Sequence, residues 1–218
     1  MFFWTLFKHE CSRTFLGIRL RGGSFRPEGV VRHKPRLGPE NRRNNTRKHF
    51  DMGFQCVPPW VLDVVWASHC CTQYSCARTS AKTPRNLVLA DSLVKRSLEI
   101  IDYFQPRVWF VENPTTGLLK TRPFMEGLPW VDLDYCCYCN WGYRKRTRLW
   151  TNSGFVGRLC GGTGVCPNIE GKRHRSTAQQ GRNKTPTGLH GEIHSTRALY
   201  RIPPALCEEL EVVCRLEP

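Results

Sequence analysis

The sequence predicts an α/β fold with a mostly parallel sheet, preceded by an irregular N-terminal segment. Two short runs of β-branched and aromatic residues, at positions 61–66 and 108–111, have the composition of buried strands. Between them, apolar residues recur at helical spacing over positions 87–104. A strand, a helix and a second strand in this order form the unit that joins neighbouring parallel strands.

The boundaries of this unit have clear local signals. The first strand leads into a polar segment, residues 67–83, that is rich in Ser, Thr and Cys. Thr83 is the predicted N-cap of the helix, with Pro84 at its first position, and Pro106 ends the helix. The periodic apolar positions of this helix are Leu87, Ala90, Val94, Leu98, Ile101 and Phe104.

The pattern is less regular after residue 114. The predicted elements there are strands at 131–138 and 148–151, a Gly-rich polar loop at 153–195 and a closing helix at 202–213. A proline pair at the start of the closing helix fits its first turn.

The chain is strongly basic, and its charge is unevenly distributed. Its 33 Lys and Arg against 18 Asp and Glu give a net charge of +15, which favours a polyanionic partner. Residues 1–50 carry 12 Lys and Arg and 3 Glu, a net +9, without a convincing secondary-structure period. Three interpretations stay open for this segment: a disordered basic arm, a transit peptide, or a poorly formed part of the domain. We therefore divide the chain into a basic segment, 1–50, and a folded domain, 51–218.

Hydropathy and cysteine placement argue for an intracellular protein. The longest apolar run, residues 1–7, is far shorter than the roughly 20 residues of a membrane span, and no cleavage site follows it. The 12 cysteines include adjacent pairs, such as Cys70 and Cys71, which are more typical of reduced thiols than of a disulfide framework. We expect the protein in the cytoplasm or the nucleus, without a membrane partner.

Two reactive side chains follow the two predicted strands. Cys71 lies in the polar segment after the first strand, and Glu112 comes directly after the second. Because the carboxyl ends of neighbouring parallel strands share one edge of a sheet, binding and catalysis concentrate there. A thiol beside a carboxylate at that edge is suited to covalent catalysis. Each residue alone has a simpler interpretation, a buried thiol or an Asn-Pro turn, so the hypothesis depends on the combination.

Four segments, in this order, resemble motifs of the cytosine-C5 DNA methyltransferases, especially the short phage-type and algal or viral members. Residues 68–71 (SHCC) stand where that family has Ser-Pro-Pro-Cys, and residues 109–114 (WFVENP) match its Glu-Asn-Val or Glu-Asn-Pro strand end. Residues 142–150 resemble the Gln-x-Arg-x-Arg segment, with Arg144 in place of the glutamine. Residues 201–207 are similar to the family's closing Pro-Pro helix. The resemblance covers the whole of the folded domain.

The resemblance implies a Rossmann-like, S-adenosylmethionine-dependent methyltransferase fold, incomplete or irregular at the N-terminus, that acts as a monomer on double-stranded DNA. Cys71 would add to C6 of a flipped cytosine, Glu112 would hold N3 and the exocyclic amine, and C5 would accept the methyl group. Arg146 and Arg148 would orient the flipped base and the catalytic loop. The implied DNA contacts are Ser68, Gln73, Ser75, Arg144 and Lys145, and the implied contacts to S-adenosylmethionine are Asp51, Asn113 and Pro114.

Two departures from the family pattern define an alternative. His69 and Cys70 replace the proline pair that stiffens the nucleophile loop, which predicts a less rigid loop and makes Cys70 a second candidate thiolate. The glycine-rich motif that contacts S-adenosylmethionine is not recognisable in residues 1–50. The rival interpretation is therefore a catalytically inactive, DNA-binding remnant of the family.

Cysteine and histidine positions in the second half raise the question of a metal site. Cys136 and Cys139 have the spacing of a zinc knuckle, with Cys160, Cys166 and His174 further along the chain. The first pair falls on a predicted strand and the second spacing is loose, so we interpret these cysteines as core or surface thiols and expect no bound metal. A small zinc-stabilised nucleic-acid module is the remaining alternative.

Overall fold

A computed structural model describes residues 59–78, 81–178 and 194–216, together with the backbone of two N-terminal strands at 3–9 and 12–20. Its strands are β1 Phe3–His9, β2 Ser12–Leu20, β3 Leu62–Ser68, β4 Val108–Pro114, β5 Trp130–Asp134, β6 Arg146–Thr151, β7 Ile169–Glu170 and β8 Arg173–His174. Its α-helices are α1 Leu87–Phe104, α2 Thr196–Leu199 and α3 Pro204–Leu216, and 3-10 turns lie at Leu118–Thr121, Pro123–Met125 and Tyr135–Cys137.

Six of the strands form one sheet in the order β1-β2-β3-β4-β6-β5, and β7 and β8 form a separate hairpin. The α/β class is confirmed, but the sheet is mixed. Among the described strands of the large sheet, β3 and β4 are the parallel neighbours, and the other four pairings are antiparallel. The prediction of a mostly parallel sheet is therefore wrong, because most of the described strand pairings are antiparallel. β6 inserts antiparallel between β4 and β5, so β3, β4 and β5 still share one direction.

The N-terminal strands extend the sheet beyond β3. β1 and β2 form an antiparallel hairpin, and β2 pairs with β3 from Phe15 opposite Ser68 to Leu20 opposite Leu62. Sequence analysis predicts an irregular segment over 1–50, whereas these two stretches are strands. The boundary between 1–50 and 51–218 stays a prediction.

Helix α1 begins three residues later than predicted. Asn86, not Thr83, is the N-cap, because its side-chain oxygen accepts the hydrogen bond of the Leu89 N–H at 2.9 Å. Gln105 closes the helix in the left-handed conformation, with its N–H bonded to the Ile101 carbonyl. The predicted strand over 131–138 likewise ends early, at Asp134, because the chain turns there into the 3-10 segment Tyr135–Cys137.

Both faces of the central strands β3 and β4 are covered, which explains why these strands are mostly apolar. One face packs against α1, through a core that includes Val65, Ala67, Val111 and Trp150 of the sheet with Val94, Ile101 and Phe104 of the helix. The other face packs against α3, through Val64, Trp66, Phe110 and Leu149 of the sheet with Leu206 and Leu210 of the helix. This layering buries both faces and leaves the strand ends as the accessible polar edge. Within the described ranges, the helices are too short or too polar to cross a membrane.

Candidate active site

The carboxyl ends of β3 and β4 meet at one edge of the sheet. Ser68, the last residue of β3, is the register partner of Glu112 on β4. Its hydroxyl donates a hydrogen bond of 2.5 Å to Glu112 Oε2. A small pocket, called here the strand-end pocket, opens at this point. It is lined by Ser68, His69, Cys71, Glu112, Pro114, Lys145 and Tyr200. The structure therefore brings together the thiol and the carboxylate that the strand pattern singled out.

Glu112 is almost completely buried, with 3% of its surface exposed, and its charge is balanced locally. The Tyr135 hydroxyl donates to Oε1 at 3.2 Å, and the Lys145 ammonium lies 3.7 Å from the same oxygen. Together with Ser68, these groups supply two hydroxyl donors and one positive charge to the carboxylate. The arrangement holds the Glu112 side chain in a fixed orientation at the pocket wall.

Cys71, rather than Cys70, lines the strand-end pocket. The Cys70 sulfur lies 2.9 Å from the Thr72 hydroxyl, within its own turn. Burial raises the pKa of the Cys71 thiol from its ordinary value of 9.0 to about 11, and the positive charge of Lys145 opposes that effect. The nearby Glu112 carboxylate adds to the rise. The geometry thus selects Cys71 as the thiol that faces the carboxylate, protonated at neutral pH.

The loop after β3 is fixed by contacts from a neighbouring helix and strand. His69 Nε2 lies 2.9 Å from the Ser97 hydroxyl of α1, and the His69 carbonyl accepts from Asn113 Nδ2 at 3.1 Å. Burial lowers the pKa of His69 to about 4, so the imidazole is neutral. The absence of the proline pair predicts a less rigid loop, and that stays a prediction; His69 connects the loop to α1 and to β4.

Gln73 and Ser75 also hold this loop in place. Arg85 donates to the carbonyl oxygens of Gln73 and Ser75, at 2.6 and 3.0 Å. The Gln73 side-chain oxygen accepts from the Asn86 N–H at 2.9 Å, at the start of α1. Ser75 Oγ accepts from the Ala77 N–H at 3.2 Å. Both residues therefore connect the loop after β3 to the start of α1, a role that the sequence does not predict.

The residues predicted to contact a cofactor are placed unevenly. Asn113 is fully buried, and its side-chain oxygen has no hydrogen-bond partner among the described residues. Pro114 lines the strand-end pocket. Asp51 lies outside the described residues, so its position in the site stays a prediction.

Arg146 and Arg148 are occupied by carboxylates of the neighbouring strand β5. Arg146 forms a bidentate pair with Asp134 at 3.1 and 2.7 Å, and Arg148 forms one with Asp132 at 2.7 and 3.1 Å. Burial alone would raise the pKa of Asp134, but hydrogen bonds from Arg146 and from the Cys160 N–H outweigh it and lower the pKa. The structure does not bring these two arginines to the strand-end pocket. Arg144, in contrast, is exposed.

The sequence does not predict two residues of the site. Tyr135, which donates a hydrogen bond to Glu112 but does not line the strand-end pocket, falls in the middle of a predicted strand. It is instead the first residue beyond β5, which runs in the same direction as β3 and β4. If the strand is predicted to end at Asp134, Tyr135 is expected at the same edge of the sheet as Cys71 and Glu112. Tyr200 just precedes the closing helix, and the neighbouring Leu199 carbonyl accepts from the Lys145 ammonium at 3.3 Å. No local pattern predicts the hydrogen bond between Lys145 and Leu199, because the two residues are 54 positions apart in the chain.

The pKa of Cys71 leads to a measurable pH dependence. Only the thiolate reacts with iodoacetamide, so the rate of Cys71 modification should keep rising up to about pH 11. Replacing Lys145 with methionine removes the nearby positive charge and should move the midpoint to higher pH. Peptide mass spectrometry after timed alkylation gives both curves. A midpoint at the ordinary thiol value, or one that does not move in the variant, would contradict this account of the site.

Comparison with known proteins gives one informative relative. No protein-family model matches the chain. The chain is 40% identical over 170 residues to a probable DNA (cytosine-5)-methyltransferase of Frog virus 3 (isolate Goorha), and the match covers 72% of this chain and 78% of the relative.

Proposed function

This chain belongs to the DNA (cytosine-5)-methyltransferase family, and we propose that it transfers a methyl group from S-adenosylmethionine to C5 of cytosine in double-stranded DNA. The observation that carries the proposal is the meeting of Cys71, Glu112 and Lys145 in one pocket at the ends of β3 and β4. A thiol, a hydrogen-bonded carboxylate and a cation in one pocket suit covalent attack on an electron-poor ring. Both the covalent bond between Cys71 and cytosine and the use of S-adenosylmethionine are proposed.

The reaction begins with loss of the Cys71 thiol proton to solvent. The thiolate forms a bond to C6 of cytosine, and the electron pair of the C5–C6 double bond moves towards C5 and into the ring. When bound, S-adenosylmethionine would supply an electrophilic methyl group to C5 and leave as S-adenosylhomocysteine. Loss of the C5 proton to solvent and release of the Cys71 sulfur from C6 would then restore the C5–C6 double bond. The positive charge of Lys145 favours the thiolate, because it opposes the effect of burial on the pKa of Cys71.

Glu112 orients the base and stabilises the charge that builds up in it. Its carboxylate accepts a hydrogen bond from the exocyclic amine, and a proton taken up from solvent is held between Glu112 and N3, which draws electron density out of the ring during attack. Ser68 and Tyr135 fix the carboxylate from two sides, at 2.5 and 3.2 Å. Because these donors are in place before the base arrives, little reorganisation is needed in the reaction.

One buried side chain next to Glu112 in β4, that of Asn113, is compatible with a bound S-adenosylmethionine. A buried acceptor without a partner costs about 1–3 kcal/mol, which a bound donor would recover. The Asn113 amide oxygen is such an acceptor within the described ranges, and it suits the ammonium or hydroxyl groups of this cofactor. We assign Asn113 and Pro114 as cofactor contacts, and retain Asp51 as a proposed contact.

DNA binding would use exposed basic side chains. Arg144, Lys172 and Arg173 are exposed, and such residues contribute phosphate contacts that fix the duplex while the target base leaves the stack. Ser68, Gln73, Ser75 and Lys145 stay proposed DNA contacts, through the nucleophile loop. For Arg146 and Arg148, we propose that they position β5 against β6 rather than contact the base, since both are paired with aspartates.

Methylation of DNA by the full chain tests the proposal. Incubation with mixed-sequence duplex DNA and S-adenosylmethionine should produce 5-methylcytosine, detected by mass spectrometry of the digested nucleosides. Titration calorimetry with S-adenosylmethionine distinguishes the rival interpretation. Retained DNA binding without cofactor binding and without 5-methylcytosine would identify an inactive remnant.

We further propose that the protein acts inside the cell and as a monomer.

A further inference from the structure

Four side chains that commonly bind metals converge beside the end of β5, away from the strand-end pocket. Cys136, Cys160, Cys166 and His174 each contribute one ligand atom, and these atoms all lie within 4.8 Å of one another. His174 Nε2 is 3.7 Å from the Cys160 sulfur and 3.6 Å from the Cys166 sulfur. Residues from three separate stretches of the chain therefore surround one point.

The distances from His174 Nε2 to the Cys160 and Cys166 sulfurs match those of a tetrahedral metal site. With Zn–S bonds of about 2.3 Å and a Zn–N bond of about 2.0 Å, ligand atoms lie roughly 3.5–3.8 Å apart. The two sulfur–nitrogen distances to His174 fall in this range. Three thiolates and one imidazole form a soft donor set, which selects zinc over magnesium or calcium. Four protein ligands leave no open position, which is typical of a structural site rather than a catalytic one.

The backbone that carries the ligands is itself held by hydrogen bonds. The Cys160 N–H donates to Asp134 Oδ2 at 2.9 Å, and the Cys166 N–H donates to the Gly162 carbonyl at 3.0 Å. Gly162 has φ of +79°, a left-handed conformation that favours glycine in the turn between the two cysteines. Outer contacts of this kind orient the ligands of metal sites and raise their affinity.

The segment that supplies three of the ligands has little apolar core of its own. Its two strands, β7 and β8, have two residues each. Val156, Leu159 and Val165 are exposed by 78%, 54% and 73%, so their side chains contribute little burial. Small units without a sufficient core are usually stabilised by a disulfide or a metal, and the three cysteines of the cluster are free thiols.

The four side chains of the cluster carry no positive charge of their own to balance three thiolates. Three thiolates so close together require a positive charge among them.

We propose that Cys136, Cys160, Cys166 and His174 bind one zinc ion in a closed structural site. Sequence spacing had favoured Cys136 with Cys139, but the Cys139 sulfur lies 3.1 Å from the Tyr135 carbonyl as a hydrogen-bond donor and is outside the cluster. The ion would fasten the β7–β8 hairpin to the turn that contains Tyr135, the residue that donates to Glu112. The site is independent of the proposed reaction, since its test measures metal and not methyl transfer.

Metal analysis of the purified full chain is the primary test. After passage over a chelating resin, the protein should keep about one zinc ion per chain, measured by inductively coupled plasma mass spectrometry. Cys160→Ser should lose at least about nine-tenths of the zinc, because each ligand contributes to one closed site. Cys137→Ser is the matched control, since Cys137 lies in the same turn but outside the cluster. It should retain the full zinc content.

Cobalt substitution keeps the test decisive if Cys160→Ser fails to fold. Refolding the wild-type chain with Co²⁺ should give the intense visible and thiolate-to-metal absorption bands of a tetrahedral cobalt–thiolate site, and zinc should displace them. Sub-stoichiometric zinc without these bands would overturn the proposal. So would a disulfide within the cluster in protein purified under reducing conditions, or loss of zinc in Cys137→Ser.

Discussion

Replacing Cys71 with serine should reduce methyl transfer by at least about a thousandfold, because removal of an attacking nucleophile typically costs three or more orders of magnitude. A serine hydroxyl has nearly the same size as the thiol, but it ionises far less readily and is a weaker nucleophile towards C6. The rate of 5-methylcytosine formation measures the loss. A duplex that contains 5-fluorocytosine should trap the wild-type protein as a covalent complex on a denaturing gel, and this complex should be absent with Cys71→Ser.

Cys70→Ser is the matched control for this experiment. Its sulfur lies against the Thr72 hydroxyl within the turn and does not line the strand-end pocket, so the variant should keep both activity and the covalent complex. The reverse pattern, with trapping lost in Cys70→Ser and kept in Cys71→Ser, would move the nucleophile to the preceding residue. Full activity in both variants would remove the covalent step from the proposed mechanism.

Replacing Glu112 with glutamine should lower kcat by about a hundred- to a thousandfold, the usual effect of deleting one preorganised electrostatic contact to the reacting group. The amide has the same shape, but it cannot take up and deliver the proton that N3 receives during attack. It also leaves Lys145 without its carboxylate at 3.7 Å. Single-turnover methylation measures the loss, and thermal unfolding shows whether the fold is retained.

Glu126→Gln is the control for the change of charge alone. Glu126 is an exposed glutamate in the turn after the 3-10 segment Pro123–Met125, so its replacement should leave methylation within about twofold of the wild type. An equal loss in both variants would indicate a general effect of net charge on DNA binding. An active Glu112→Gln variant with normal stability would contradict the proposed role of the carboxylate.

The local sequence was sufficient to place Cys71 and Glu112 at the ends of two neighbouring strands. β3 and β4 each contain a buried apolar run; Glu112 comes directly after the run at 108–111, and Cys71 lies in the polar segment after the run at 61–66. The position of a residue at a strand end depends on a few neighbours in the chain, and the parallel pairing of two strands joined by a helix is strongly constrained. The thiol and the carboxylate could therefore be placed at one edge before their contacts were known.

The partners of the arginines could not be predicted in the same way. Arg146 and Arg148 depend on β6 pairing with β5, which sets Asp134 opposite Arg146 and Asp132 opposite Arg148. Strand order and register are decided by packing across the whole sheet, because many antiparallel pairings of the same segments satisfy the local hydrophobic pattern. The mixed sheet and the early end of β5 have the same origin.

The sequence by itself determined the family of this protein, through its motifs in order, the positions of Cys71 and Glu112 after two buried apolar runs, and the basic charge. The tertiary structure decided how these groups are held. It fixed the loop through His69 in place of a proline pair, added Tyr135 to the site, and gathered Cys136, Cys160, Cys166 and His174 into one cluster. The physical reason is that residue types and local spacing are written in the chain, whereas contacts between distant segments exist only after the cores on both faces of the sheet have packed.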